Sequence, residues 1–327
     1  MPNPLTLTRM WRILKEVDLE AIRREGTSPL HVHIIAETNA DADRTAVLLA
    51  AGQTSSARFL TAMDASLAAD GSAARSVAVL DGPELVVVVT RGNELSPQLA
   101  RARQTWAERK VALVNLALET AEPAGTLQAG PHGARVALAG LDDAAMRGVA
   151  DAVFSVVRPD RRVAVARQFP GLRPAFFQDL IAETAKANAG YAFSTGLAEI
   201  VPGLGVPLSI GDIVVLTKNQ LMMGYRIALA AGKHGKPKEL IGEIIGVLGG
   251  GLLFRQAARQ LIGLLPVIGI LPKVAVAYGG TWAIGRALAL WATDGRKITR
   301  RRLAQLSAEG AARGREVARS MKRGRNA

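Results

Sequence analysis

The spacing of apolar residues changes midway along the chain. In the first half, short apolar runs at 30–36, 76–80, 85–90, 111–116 and 135–139 alternate with stretches of helical spacing at 45–51, 57–69, 97–110 and 142–157. Strands alternating with helices predict a largely parallel sheet covered on both faces, a Rossmann-like α/β domain. Residues 81–84 are too short a link for a parallel crossover, so the strands either side of them pair antiparallel or are not neighbours. Before the first strand, Leu7, Met10, Trp11, Leu14, Val17, Leu19 and Ile22 mark one face of a helix expected to lie against this domain. Residues 119–133, rich in Gly and Pro, read as a loop.

From about residue 176 the pattern is helical and strongly apolar. Helices are expected at 176–198, at 209–231 behind a Ser209/Asp212 capping box, and from Pro237 onward after a break at 232–238. Two segments resemble each other, one holding Pro202 and Pro207, the other Pro266 and Pro272. Proline withholds a backbone donor and glycine tolerates a reversed backbone, so each reads as a bend. The bends close hydrophobic helical hairpins near lipid, or are ordinary turns in an all-helical core. Gly242, Gly246 and Gly250 recur every four residues, a face on which another helix is expected to pack closely, so that Gly246→Leu should disrupt assembly. Ala277, Thr281 and Gly285 repeat the device. Asp212, Asn219 and Arg226 fall seven apart on one helical face, lining a polar path through a membrane bundle or serving as a cap and cross-core hydrogen bonds. The fold class expected is therefore an α/β N-terminal domain with a largely parallel sheet, followed by an all-α hydrophobic domain of helical hairpins.

Spanning about 30 Å of hydrocarbon takes about 20 apolar residues. Within the apolar region the longest charge-free run, between Arg259 and Lys273, is 13 residues. The best full span, 261–285, would place Lys273 near mid-bilayer. Shallow hairpins, or helices that shield their charges against one another, fit better.

Composition adds partners. The 327 residues accommodate two domains, divided at 1–157, a basic linker 158–175, a helical domain 176–293 and a basic tail 294–327, helical or disordered. The net charge is +13. The tail holds 11 Lys and Arg against three acids, a net +8, and 158–173 holds five Arg against Asp160, a net +4. Basic blocks around an apolar region attract anionic lipid and stay on the cytoplasmic side. Phosphate of nucleic acid attracts the same residues, but aromatics are only 4% and are not interleaved with the basic runs, which disfavours nucleic acid as partner. With no cysteine there is no disulfide and no thiolate metal site. His31 and His33 share a strand face without a third ligand and read as packed histidines. Residues 1–10 lack the apolar core of a secretory signal, which suggests a chain that begins in the cytoplasm.

In a phosphate-binding α/β domain the first strand-to-helix loop carries glycines and a lysine. Here residues 37–44 contain neither, and Glu37, Asp41 and Asp43 would repel a triphosphate. A hard cation could take these oxygens, but Asp41 or Asp43 as a helix N-cap accounts for them more simply. No Ser/His/Asp constellation or catalytic carboxylate pair stands out, so no catalytic residue, cofactor or metal is expected.

Three segments carry a family resemblance: FPGLRPAFFQDLIAETAKANA from Phe169, VPGLGVPLSIGDIVVLTKNQLMM from Val201 and AYGGTWAIGRALALW from Ala277, with Met10 to Glu25 in addition. They resemble a bacterial family of uncharacterised proteins, domain of unknown function 697, over most of 169–292. The resemblance implies a helical, membrane-associated domain on the cytoplasmic face of the bacterial inner membrane, in some members joined to a GTPase domain. The first 157 residues would then resemble a GTPase-like fold that departs from the pattern at the phosphate loop and, near Asn115, lacks the guanine-reading Asn-Lys-x-Asp set. The function expected is that of a non-catalytic, membrane-associated protein with a pseudo-GTPase-like interaction domain, contacting lipid and a protein partner or a second copy. The alternatives are a nucleotide switch using Asp81 or Asn115, and a basic nucleic-acid binder.

Overall fold

The computed structural model describes residues 17–65, 83–92, 95–130, 133–198, 210–247, 270–295 and 298–326. Contacts divide the chain into two units, Arg24–Phe176 and Phe177–Ala327, the latter joined by the residues up to Arg23.

The first unit is built on a six-stranded sheet in the order β2-β1-β3-β4-β6-β5. After α1 (Leu19–Thr27) come β1 (Val32–Ala36), α2 (Asn39–Ala50), a single turn α3 (Thr54–Ala57) and β2 (Leu60–Asp64). Then follow β3 (Leu85–Arg91), α4 (Pro97–Glu108), β4 (Ala112–Leu118), β5 (Leu127–Gly130), β6 (Gly133–Leu138), α5 (Met146–Val156) and α6 (Arg162–Gln168). All pairings are parallel except β5 with β6. Every residue of β1 and the first six of β3 are buried, as continuous apolar runs with helices on both faces require.

Several expectations change here. Of residues 57–69, expected as a helix, Leu60–Asp64 form β2, which pairs with β1 from Leu60 opposite Val32 to Asp64 opposite Ala36, and 66–69 lie outside the described residues. The loop expected at 119–133 contains β5. The helix expected from Thr45 begins at Asn39. The run 76–80 lies outside the described residues. Residues 158–175, expected as a basic linker, are folded: Val163, Ala164, Val165, Ala166, Phe169 and Leu172 are buried, and a Cβ on Gly171 would strike the Leu48 carbonyl. Three of its arginines are engaged within the unit. Arg161 donates to both Glu84 oxygens and to the Pro29 carbonyl, Arg162 to the Phe154 carbonyl, and Arg173 to the Ala166 and Arg167 carbonyls.

The second unit contains α7 (Arg173–Ala198) from Phe177 on, α8 (Ile210–Ala230), α9 (Pro237–Val247), α10 (Ile270–Asp294) and α11 (Arg300–Asn326). The start of α1, expected against the α/β domain, belongs here, where the Leu19 carbonyl accepts from the Tyr225 hydroxyl at 3.4 Å. Side-chain contacts fix the helix directions. Gln220 meets Thr281 and Gly224 meets Leu288, so α8 and α10 run parallel, whereas Asn188 meets Thr281 and Ile181 meets Gly285, so α7 opposes them. The basic tail is one long helix, packed antiparallel on α10 where Gly310 touches Gly279 and Gly314 touches Ala275, backbone to backbone.

Candidate functional site

Chain order sets the first place to look. From β1 the chain crosses to β2 on one side and then returns to β3 on the other, so the strand order reverses between β1 and β3. The crevice outside the carboxyl ends of strands at such a reversal is where open α/β sheets bind ligands. In this protein Asp41, Arg91 and Glu119 meet at that crevice.

Thr38, in extended conformation after β1, is the N-cap of α2; its hydroxyl accepts from the Asp41 backbone N at 3.2 Å and donates to Asp41 Oδ2 at 3.1 Å. Asp41 is therefore not the cap expected from the sequence. It stands in the first turn, on the positive end of the helix dipole. Across the crevice Arg91, the last residue of β3, donates from Nε to Asp41 Oδ2 at 2.9 Å and from Nη2 to Asp41 Oδ1 at 2.7 Å. Arg91 Nη1 also pairs with Glu119, just past β4, whose backbone is left-handed at φ 54°. The Asp41 side chain is 10% exposed, against 45% for Arg91 and 61% for Glu119. The guanidinium holds the Asp41 carboxyl below the usual carboxylate range, and Asp41 in turn raises the arginine.

The neighbours are likewise committed. Glu37 Oε1 accepts from the backbone N of Ser96, the N-cap of α4, at 3.2 Å. Asn39 Nδ2 donates to Asp64 Oδ2 at 3.4 Å. Asn115 Oδ1 accepts from the Thr90 hydroxyl at 3.1 Å; Asp81 lies outside the described residues. The carboxylate of Asp41 stands in the first turn of α2, and Arg91, which faces it, is paired with both Asp41 and Glu119. Among the described residues no three His, Asp or Glu side chains stand together as a metal site. A cavity of about 1060 Å³ opens instead at the amino ends of the strands, lined by Leu30, Glu84, Lys110, Val111, Val157 and Arg161 among others.

No family model, no curated protein and no solved structure matches this chain.

The helical unit holds a second polar cluster. Thr281 on α10 accepts from Asn188 Nδ2 at 2.8 Å and from Gln220 Nε2 at 3.0 Å, and donates to the Ala277 carbonyl at 2.7 Å. Asn219 Nδ2 donates to Asn188 Oδ1 at 2.7 Å. Of the polar face expected from the sequence, Asn219 thus ties α8 to α7, Arg226 is half-buried, and the Asp212 side chain lies outside the described residues. Asn188, Gln220, Thr281 and Lys273 are buried.

Of the glycine face expected from the sequence, Gly242 and Gly246 are on α9. Among the described residues nothing lies within 4 Å of a Cβ placed on Gly242 or Gly246; α9 buries Leu240, Ile241, Ile244 and Ile245 instead. Gly250, Pro202, Pro207 and Pro266 fall outside the described residues, and the backbone at Pro272 is in the first turn of α10. Close approach occurs at Gly285, where a Cβ would come 2.6 Å from Ile181 Cγ1, at Gly224, 2.8 Å from Leu288 Cδ1, and along the seam between α10 and α11. Among the described residues no helix is long and apolar enough to cross a membrane.

The sequence offered no sign of Arg91, Glu119 or Asn188. Arg91 closes an apolar strand at its carboxyl end, which is the position from which a strand side chain reaches such a crevice.

Proposed function

We propose that this is a non-catalytic, membrane-associated protein whose α/β unit is a GTPase-like fold that holds no nucleotide and serves as an interaction domain. The observation that carries this reading is the Asp41–Arg91 pair. Two hydrogen bonds at 2.7 and 2.9 Å close the crevice at the strand reversal with a carboxylate already on the helix terminus. A nucleotide phosphate would have to displace that carboxylate and settle beside Glu37 and Glu119, with like charge repelling it. The first loop also lacks the glycines that let backbone approach phosphate. The membrane half of the reading rests on the resemblance to domain of unknown function 697 and on the positive charge of the last helix.

Calorimetric titration of the full chain with GTP and with ATP, each with Mg²⁺, tests the first half. No heat of binding up to millimolar nucleotide is expected. Saturable binding in the micromolar range that is abolished by Arg91→Ala would overturn it and install the nucleotide switch instead.

A further inference from the structure

We infer that the exposed face of α11 is the surface by which the helical unit docks onto an anionic lipid headgroup layer, lying along the surface and not entering the hydrocarbon. This rests on the membrane reading above and gives it a contact face and a mode.

The helix has 27 residues, so it runs about 40 Å. One side is given to α10: Leu306, Ser307, Ala311 and Ala318 are buried, and Gly310 and Gly314 meet the α10 backbone. The other side carries Arg301, Arg302, Arg313, Arg319 and Arg323, all exposed, with Arg315 half-buried. Glu309 and Glu316 are the acids on that side. The Arg313 guanidinium lies over the Trp282 ring, its carbon 4.9 Å from the centroid, a cation–π contact made by a side chain that is still exposed.

The packing decides the mode of contact. Because α11 runs antiparallel along α10, carrying α10 into hydrocarbon would carry these arginines with it, and charged side chains there are costly. A surface contact leaves them among phosphates. The same packing decides the partner. A major groove about 12 Å wide admits a whole helix of about 10–12 Å diameter, but α11 offers only the half turned away from α10. A planar layer of lipid phosphates asks for one straight charged face, which is what α11 presents.

Co-sedimentation of the full chain with phosphatidylcholine vesicles, with and without phosphatidylglycerol, tests the inference. The protein is expected to bind only the anionic vesicles and to be released by high salt. Each arginine near an anionic surface contributes roughly fivefold in affinity at low salt. The combined substitution Arg301→Gln, Arg302→Gln, Arg319→Gln and Arg323→Gln should therefore weaken binding by more than about tenfold. A control of equal charge change on the α/β unit, Arg24→Gln, Arg101→Gln, Arg103→Gln and Lys110→Gln, should have little effect. Glu309→Gln with Glu316→Gln should tighten binding, a gain that misfolding cannot produce. If the two quadruple variants behave alike, the α11 face is not the contact while the membrane reading stands. If the wild type binds neither vesicle, both fail together. Binding that survives high salt and carbonate overturns the surface mode, and duplex DNA that binds in preference to anionic vesicles overturns the partner.

Discussion

Replacing Gly279 by alanine puts a methyl group where α10 and α11 already touch. A Cβ there would fall onto the Gly310 carbonyl group, 2.7 Å from its carbon and 3.2 Å from the Ala311 nitrogen, whereas ordinary contact begins at 3.4 Å. Both obstacles are backbone and cannot rotate away, so the helices must part by about 1 Å, which forfeits a quarter to a half of each dispersion contact along the seam. Overpacking of this kind costs about 1–3 kcal/mol. Alanine also gains about 1 kcal/mol of helix propensity over glycine, which would hide part of the loss. Gly246→Ala removes that ambiguity: it makes the same chemical change in a helix, with nothing within 4 Å of the new methyl among the described residues. The propensity gain is common to both, so the difference between the two midpoints isolates the clash. At about 2–4 °C per kcal/mol for a unit of this size, Gly279→Ala should melt several degrees below Gly246→Ala, and Gly310→Ala should follow Gly279→Ala. Far-UV circular dichroism melts of the full chain measure this. If Gly279→Ala and Gly246→Ala raise the midpoint equally, the backbone contact between α10 and α11 does not exist.

Two further outcomes are expected. His33 is buried in β1 against the edge of Trp106, ring centroids 5.3 Å apart, with neither ring nitrogen hydrogen-bonded, and burial lowers it to about 4. The unfolded chain therefore takes up this proton first as pH falls below about 6.5. The stability held above that value is lost progressively down to about pH 4; at pH 5 the loss is bounded at about 2 kcal/mol, and solvent screening brings it toward about 1 kcal/mol. Denaturation midpoints followed from pH 8 to pH 4.5 should fall less steeply in His33→Phe, and identical slopes would show that His33 is not the group titrating. Thr281→Val keeps the shape of the side chain but leaves the Asn188 and Gln220 amides without their acceptor, at a cost of about 1–3 kcal/mol. Urea denaturation should show this loss, with Thr281→Ser restoring most of it; a neutral Thr281→Val would mean that the amides find other partners.

What the sequence made legible is what depends on near neighbours in the chain. The buried strands β1, β3, β4 and β6 announced themselves as apolar runs, and the helices α4, α5 and α8 by their spacing. Residues 57–69, rich in alanine, have the local composition of a helix; the pairing of Leu60–Asp64 with β1 outweighs it, and pairing partners 28 positions apart leave no local trace. The glycine spacing at 242, 246 and 250 showed a bare face without showing whether anything lies on it. Gly310 and Gly314 have the same spacing in a segment dominated by arginine, and their counterparts Ala275 and Gly279 lie on another helix. That residues 37–44 lack the glycines and lysine of a phosphate-binding loop was readable; that Arg91 pairs with Asp41 beside them was not. Arg91 is 50 residues from Asp41, and only the sheet order brings them together.

The contact of main chain on main chain between α10 and α11 also bears on how charge is displayed. A flexible polybasic tail averages over its conformations and reports only that an anionic partner is near. Here the arginines stand on a helix whose spacing from its neighbour is set by peptide groups where Gly310 meets Gly279 and Gly314 meets Ala275. Their pattern is a fixed lattice with a helical repeat, so whatever it meets is met at a defined azimuth. Attraction by such a lattice carries a torque as well as a force, and the helical unit would be turned as it is bound.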